Sequence, residues 1–300
     1  MSSAPSDTSL PRRLLITGGG SGGHVFPGLA VATALAARGV SVSWAGGSGM
    51  EGDLVRGRGL AVHALEAAPL VGRGIVGKLR ALARLVRSAI AARGLVLRED
   101  FAAVLGTGGY VSAPAALGAR LARRPLVLLE PNAEPGVANR ALSRFAREAL
   151  VAHDDTGPRL HCPTRTTGVP IREAFFDSAP LPMAPPLRLL VLGGSQGAQQ
   201  RNRLVPAAFA HLPASRGPIE VLHQVGRGRE VDAETAWQAT RERGEPAEAA
   251  PTTVSVVGFL DDVAGAMATS HLVLSRAGAI TLAEICAAGR GRGGGVLHHR

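Results

Sequence analysis

Lysine is all but missing from this sequence: of 33 Lys and Arg residues only Lys78 is a lysine, so the formal net charge of +10 is carried by arginine. Ala, Gly and Arg are used heavily throughout, so part of that charge is composition rather than evidence of a partner. Aromatic residues make up 3% of the chain, too few for a platform that stacks successive bases, and nucleic acid is not expected as a partner. Cysteine appears twice, as Cys162 and Cys286, which excludes a disulfide framework and an all-cysteine zinc site and fits a reducing compartment. No stretch reaches the roughly 18 to 20 apolar residues of a membrane-spanning helix, so any membrane contact is made from the surface. Met1 to Pro11 has neither the charged start nor the apolar run of a signal peptide and reads as a short frayed leader.

What is present points to a folded α/β protein. Hydrophobic residues at 46% against 19% charged are ample for a core, and 300 residues suggest two domains. Apolar runs of strand length alternate with longer helical patterns, the mark of parallel βαβ units. Strands are expected near Arg13 to Thr17, Val40 to Trp44, Ala103 to Gly106, Leu126 to Glu130 and Ala149 to Ala152. A second series lies near Arg188 to Leu192, Ile219 to Gln224, Val254 to Val257 and Leu272 to Ser275. Between them, Asp177 to Pro186 (DSAPLPMAPP) is too rich in proline to continue a helix or a central strand. The expected division is an N-terminal domain over residues 1–172, a linker over 173–186, and a C-terminal domain over 187–300. Each half opens with a strand, a glycine-rich turn and a helix, which suggests two Rossmann-like, doubly wound domains facing across a cleft.

The first helix is expected from Val25 to Arg38, with Leu29, Ala32, Leu35 and Ala36 on one face and Gly39 as its stop. The segment Arg73 to Arg98 contains seven basic residues and no acid. Leu79, Leu82, Val86 and Ile90 recur at helical spacing, while Arg80, Arg84 and Arg87 fall on another side. An ordinary surface helix would turn that apolar face into the core; attachment to anionic lipids through Arg80, Arg84 and Arg87 is the other reading.

Three glycine turns could carry chemistry. The first, Gly18 to His24, sits between a strand and a helix, where glycine lets backbone N–H groups approach a phosphate. Gly18, Gly20 and Gly23 satisfy GxGxxG, but the next strand ends in Trp44-Ala45-Gly46-Gly47 with no acid before Glu51, which counts against a dehydrogenase. The second turn is Gly106 to Ser112 and the third Gly193 to Ala198. Gly193, Ser195 and Gly197 also fit GxSxG, and with Asp261 or Asp262 and His271 they leave a hydrolase as an alternative. Matched turns in both halves suit a ligand held between domains better. Asp154-Asp155 and Asp261-Asp262 are adjacent pairs rather than DxD, so a protein-held metal is not indicated.

Six ordered motifs then carry a resemblance: GGGSGGHVFPG at 18–28, GTGGYVSAP at 106–114, EPNAEPGVANR at 130–140, GVPIR at 168–172, GGSQGA at 193–198 and SRAGAITLAE at 275–284. They resemble glycosyltransferase family 28, the bacterial transferases that move N-acetylglucosamine from its UDP form to undecaprenyl-pyrophosphoryl-muramoyl-pentapeptide, turning lipid I into lipid II. The resemblance implies a GT-B glycosyltransferase fold, with the lipid acceptor handled by the N-terminal half and the sugar nucleotide by the C-terminal half. It also implies a peripheral place at the cytoplasmic face of the cell membrane, with an anionic membrane surface and other cell-wall enzymes as partners. UDP-N-acetylglucosamine is the donor, lipid I the acceptor, and no cofactor is required.

By the same resemblance Ser21, Gly22, Gly23 and Asn132 lie where donor and acceptor meet. Arg172 and Ser195 would hold the diphosphate, Leu260 would touch the uracil, and Ala279, Ile280, Thr281, Leu282, Ala283 and Glu284 would wrap the nucleotide, with Glu284 on the ribose. Inverting displacement needs a base for the acceptor 4-hydroxyl. His24 is the first choice, histidine being the side chain whose proton exchange falls near neutral pH, and Glu130 competes with it. Tyr110 and Asn139 would shape the acceptor pocket. Two departures stand out. Leu129-Glu130-Pro131-Asn132 replaces an aromatic or His followed by Glu-Gln-Asn, which removes a side-chain amide and a backbone donor. The tail Arg290 to Arg300 has no strand or helix period, so the C-terminal domain is expected to be incomplete and turnover poor, with a non-catalytic, membrane-associated homologue as the alternative.

Overall fold

The computed structural model describes residues 12–47, 50–67, 74–193, 199–212, 217–243 and 252–289. The chain divides between Pro170 and Ile171 into two units, so the proline-rich segment 177–186 belongs to the second. The expected leader, the third glycine turn from residue 194 onward with Ser195, and the tail from residue 290 lie outside the described residues.

In the first unit seven parallel strands are arranged β3-β2-β1-β4-β5-β6-β7. They span Arg13–Thr17 (β1), Ser41–Gly46 (β2), Ala61–Ala64 (β3), Ala103–Gly106 (β4), Leu126–Glu130 (β5), Glu148–Val151 (β6) and Thr164–Thr166 (β7). The strand order reverses between β1 and β4, which pair Leu14 with Ala103 through Thr17 with Gly106. Loops leaving such a switch point open a crevice at the C-terminal ends of the strands, where α/β folds hold ligands. One core layer gathers Leu15, Phe101, Val104, Leu126 and Leu128, and the other gathers Ile16, Val25, Leu29, Trp44 and Leu105. The helix after the first turn, α1 (Gly22–Ala36), starts three residues before the expected Val25, because its first turn is made by the glycines themselves.

The helices α2 (Met50–Arg56) and α3 (Ile75–Arg98) follow. In α3 the core reading of the apolar stripe is overturned: Leu79 is 62%, Leu82 50%, Val86 52% and Ile90 60% exposed. The face turned inward carries Ala81, Ser88, Ala89, Ala92, Leu95 and Val96 instead. Small residues let α3 lie close to α4 (Ala113–Leu121): a Cβ on Gly118 would stand 2.6 Å from Ala92 Cβ. A larger residue at 118 would push the two helices apart.

The second unit has four parallel strands, β10-β9-β8-β11, spanning Leu187–Leu192 (β8), Ile219–Gln224 (β9), Thr252–Val257 (β10) and Leu272–Leu274 (β11). Helices α6 (Gln199–Phe209), α7 (Glu230–Arg243), α8 (Val263–Ala268) and α9 (Ala279–Ala287) flank them; α5 (Val137–Leu142) belongs to the first unit. The proline-rich segment is tied down by His271. Its Nδ1 accepts the Arg188 N–H at 2.9 Å, so the proton sits on Nε2, which donates to the Pro182 carbonyl at 3.0 Å.

Candidate functional site

The first two glycine turns interlock at the C-terminal ends of β1 and β4. Thr107 N–H donates to the Thr17 carbonyl at 2.8 Å, carrying the β1–β4 pairing into the loops. Gly109 (φ 77°) lays its backbone against the Gly19 carbonyl, and a Cβ on Gly108 (φ 103°) would stand 2.7 Å from His24 Nδ1. Only glycine meets both demands, the left-handed backbone and the close approach.

His24, in the first turn of α1, places Nδ1 3.0 Å from the Thr107 carbonyl. A carbonyl only accepts, so Nδ1 carries the proton and Nε2 keeps its lone pair. That nitrogen is the basic atom of the turn. The Tyr110 ring, 46% exposed, stands beside Gly20.

Glu130 ends β5 and is 1% exposed. Its Oε1 accepts from the Asn132 N–H (3.1 Å) and side-chain amide (2.8 Å); its Oε2 accepts from the Gly136 N–H (2.9 Å) and Asn139 Nδ2 (3.0 Å). A buried carboxylate with four donors holds a loop in shape. The carboxylate is therefore engaged within loop 131–136, and Pro131, which has no N–H, takes nothing from this arrangement. Asn139 is also 1% exposed, and its Oδ1 is buried without a hydrogen-bond partner.

Glu51, which the sequence offered only as an acid too late for a ribose, turns out to be part of the first turn. Its Oε1 accepts the Gly20 N–H at 2.7 Å and lies 2.9 Å from where a Gly19 Cβ would be.

In the second unit Arg172 and Glu284 come together, Nη2 to Oε1 at 3.6 Å, with the guanidinium 4.8 Å over the Phe175 ring. Burial pushes the Glu284 carboxyl above its usual 4.5, with Arg172 opposing the rise. Ala279, Ile280, Thr281, Leu282, Ala283 and Glu284 form the first turns of α9, which follows β11 through Gly278 and has no acid in its opening turn. Leu260, in the loop after β10, packs against the core of Phe175, Leu190 and Met267. The hydrolase alternative loses its histidine, because both ring nitrogens of His271 are committed to backbone partners, and Asp262 caps α8 through the Gly265 N–H at 2.8 Å. Among the described residues no three His, Cys, Asp or Glu side chains cluster as metal ligands.

Arg201 and His223 are two further polar residues that the sequence did not single out. Arg201, in the first turn of α6, donates from Nη2 to the Gly193 carbonyl at 3.3 Å, while its Nη1 is buried without a partner. Desolvation and the nearby Arg276 charge lower the Arg201 pKa. His223 is fully buried in β9, and its Nδ1 accepts from Trp237 Nε1 at 3.1 Å.

Two units, each built on a parallel sheet, are the layout of a GT-B glycosyltransferase, and the family models agree. Residues 14–151 match the glycosyltransferase family 28 N-terminal domain and residues 188–291 the family 28 C-terminal domain, and the chain belongs to that family. A relative from Stutzerimonas stutzeri is 44% identical over 280 residues, covering 92% of this chain and 75% of its own. Another, from Azotobacter vinelandii, is 43% identical with the same coverage. Both are named UDP-N-acetylglucosamine–N-acetylmuramyl-(pentapeptide) pyrophosphoryl-undecaprenol N-acetylglucosamine transferase. The crystal structure of Acinetobacter baumannii MurG superimposes with a TM-score of 0.66 at 29% identity, covering 92% of this chain and 74% of that one.

Proposed function

We propose that this chain moves N-acetylglucosamine from UDP-N-acetylglucosamine to the 4-hydroxyl of the N-acetylmuramyl unit of lipid I, giving lipid II for peptidoglycan. The observation that carries the reading is the identity above 40% to transferases of that name, sustained across both units. In the reaction the acceptor oxygen attacks the anomeric carbon, the bond from that carbon to the diphosphate oxygen breaks, and UDP leaves with the electron pair. His24 Nε2 takes the hydroxyl proton, held for that task by the Thr107 carbonyl. Ser21, Gly22, Gly23 and Asn132 line the acceptor side, with Tyr110 and Asn139 shaping its pocket, and Glu130 positions Asn132 and Asn139. Arg172 and Ser195 hold the diphosphate of the donor, whose ribose hydroxyls meet Glu284 and whose uracil lies by Leu260. Positive charge at Arg172 and at helix N-termini favours the departing diphosphate.

The membrane that carries the acceptor is met by α3. Its outward stripe of Leu79, Leu82, Val86 and Ile90, at least half exposed at every position, supports insertion below the headgroups, and Arg80, Arg84 and Arg87 supply the charge for anionic lipids. No described helix is long and apolar enough to cross a bilayer. We place the chain at the cytoplasmic face of the cell membrane. The test is transfer of labelled N-acetylglucosamine to a lipid-linked acceptor in anionic vesicles. Product from UDP-N-acetylglucosamine but not from UDP-N-acetylgalactosamine is expected, and UDP-sugar binding without any product would favour a non-catalytic homologue.

A further inference from the structure

His24 sits on a stretch of helix that its own backbone fixes weakly. Gly22 and Gly23 open α1 before it, and Pro27 inside the helix has no N–H to give the Gly23 carbonyl, the acceptor four residues back. What holds the ring is therefore tertiary. Four residues on, and so one turn along the same face of α1, stands the buried Gly28. It is not among the left-handed glycines, so its backbone does not demand glycine, and glycine weakens a helix relative to alanine. Space does demand it: a Cβ there would stand 2.6 Å from Trp44 Cη2, 2.8 Å from Trp44 Cζ3 and 3.1 Å from Thr107 Cγ2. Trp44 and Thr107 are each 1% exposed, and Trp44 packs in the core layer of Ile16, Val25 and Leu29, so neither has room to give way. Thr107 is the shared partner. Its N–H and its hydroxyl both donate to the Thr17 carbonyl, at 2.8 and 3.3 Å, which fastens it to the end of β1. From that fixed place its methyl faces Gly28 and its carbonyl meets His24 Nδ1 at 3.0 Å. The two contacts lie one helical turn apart, so the depth to which Gly28 lets α1 settle sets the reach of the histidine to the carbonyl.

We propose that Gly28 is a positioning residue for His24: by admitting Trp44 and Thr107 beneath α1 it keeps Nδ1 within hydrogen-bond reach of the Thr107 carbonyl. That bond decides which ring nitrogen carries the proton, so a lifted helix lets the proton divide between Nδ1 and Nε2. Only an Nε2 without a proton can take one from a hydroxyl. The effect on turnover rests on the assignment of His24 as the base, whereas the effect on the tautomer does not.

The full chain is labelled with heavy-nitrogen histidine, and ring-nitrogen NMR shifts in mildly alkaline buffer, assigned by the signal missing from His24→Gln, report the tautomer of His24. In the wild type the proton is expected on Nδ1. In Gly28→Ala it divides between the two nitrogens and UDP affinity stays put, while kcat falls about tenfold, short of the roughly hundredfold that a misplacement of about 1 Å costs. Trp44→Phe removes the ring edge that the new methyl strikes, so adding it to Gly28→Ala is expected to return the proton to Nδ1 and recover the rate. Thr107→Ser trims the methyl facing Gly28, keeps the hydroxyl for Thr17 and adds no bulk; it is expected to shift the tautomer the same way by less, and it decides the matter should Gly28→Ala not fold. An unmoved tautomer in Gly28→Ala, or in Thr107→Ser where that variant decides, overturns the proposal even if turnover slows. A tautomer shift that Trp44→Phe does not reverse overturns it as well. A shifted and rescued tautomer with kcat unchanged leaves the positioning in place and removes His24 as the base.

Discussion

The first and third glycine turns look alike in sequence and differ in the charge placed beside them. At the first, the Glu51 carboxylate holds the Gly20 amide. At the third, Arg201 reaches back to the Gly193 carbonyl with one nitrogen of its guanidinium buried and unpartnered, and with Arg276 close enough to lower its pKa. One turn already contains an anion, and beside the other, among the described residues, Arg201 has no carboxylate within ion-pair distance. Similar glycine-rich sequences therefore do not imply similar electrostatic surroundings. The cations beside Gly193 favour an anion there, and the carboxylate at Gly20 does not.

The sharpest way to break this contrast is at the base. If the first turn is where chemistry starts, His24→Ala lowers kcat by roughly a hundred- to ten-thousandfold, the usual worth of a positioned general base, with little change in UDP affinity. Single-turnover rates and UDP calorimetry on the same variant check both halves of that statement. A variant that loses UDP binding and keeps its rate would exchange the roles of the two turns.

The next effect concerns α3, whose two faces repeat the contrast between filled and unfilled. Ala89 and Ala92 are buried under α4, whereas Leu79, Val86 and Ile90 face outward. Reversing Arg80, Arg84 and Arg87 to Glu removes three cations, each worth about 1 kcal/mol near an anionic surface, and so weakens vesicle binding at least about a hundredfold. Sedimentation with phosphatidylglycerol vesicles at low salt measures it. The thermal midpoint should hardly move, since Arg87 pairs only with the exposed Glu66, and such surface pairs add little.

These contrasts were only partly legible in the sequence. Strands β1, β4, β5 and β9 match their apolar runs because they are central and their ends are marked by glycine or proline. The edge strands β3 (AVHA) and β7 (TRT) were missed: each is short, lies at one end of the sheet, and has no continuous apolar run. Helical spacing revealed the stripe on α3 but not its direction, because alanine reads as neutral in a pattern and yet Ala92 packs closely against Gly118 of α4. The glycine turns and His24 could be named from order and residue type. Glu51 could not, being 31 residues from Gly20 on a separate helix, and Arg201 was hidden in QQRNR, which reads as an ordinary solvated face.

A smaller effect separates the two turns by stability and affinity together. A guanidinium with one nitrogen bonded to a carbonyl and another buried without a partner destabilises the empty fold, and an arriving anion offsets that cost. Arg201→Met should therefore raise the melting temperature of the unliganded chain while weakening UDP binding by about tenfold, the worth of a charge-assisted bond. Glu51→Gln, in contrast, leaves UDP binding alone. A variant at Arg201 that lost stability and kept its UDP affinity would make that residue a scaffold for Gly193 and remove the asymmetry.

The subtlest test uses pH, because His223 and Glu284 in the second unit respond with opposite signs. Burial, aided by the Arg201 charge, pulls the His223 pKa from 6.5 to about 4. The unfolded chain takes up this proton as pH drops below 6.5 while the folded chain refuses it. The stability that His223 contributes is thus complete above pH 6.5 and drains away as pH falls toward 4, by about 3 kcal/mol. Glu284, its pKa raised by burial, contributes most below 4.5 and less as pH climbs. Melting temperatures between pH 4 and 6.5 should rise with pH in the wild type and flatten in His223→Gln, which preserves an acceptor for Trp237 without a titrating ring. In Arg201→Met the same slope should become shallower, because the charge that helps keep His223 neutral is gone; an unchanged slope would mean that burial alone sets the histidine and that Arg201 faces elsewhere.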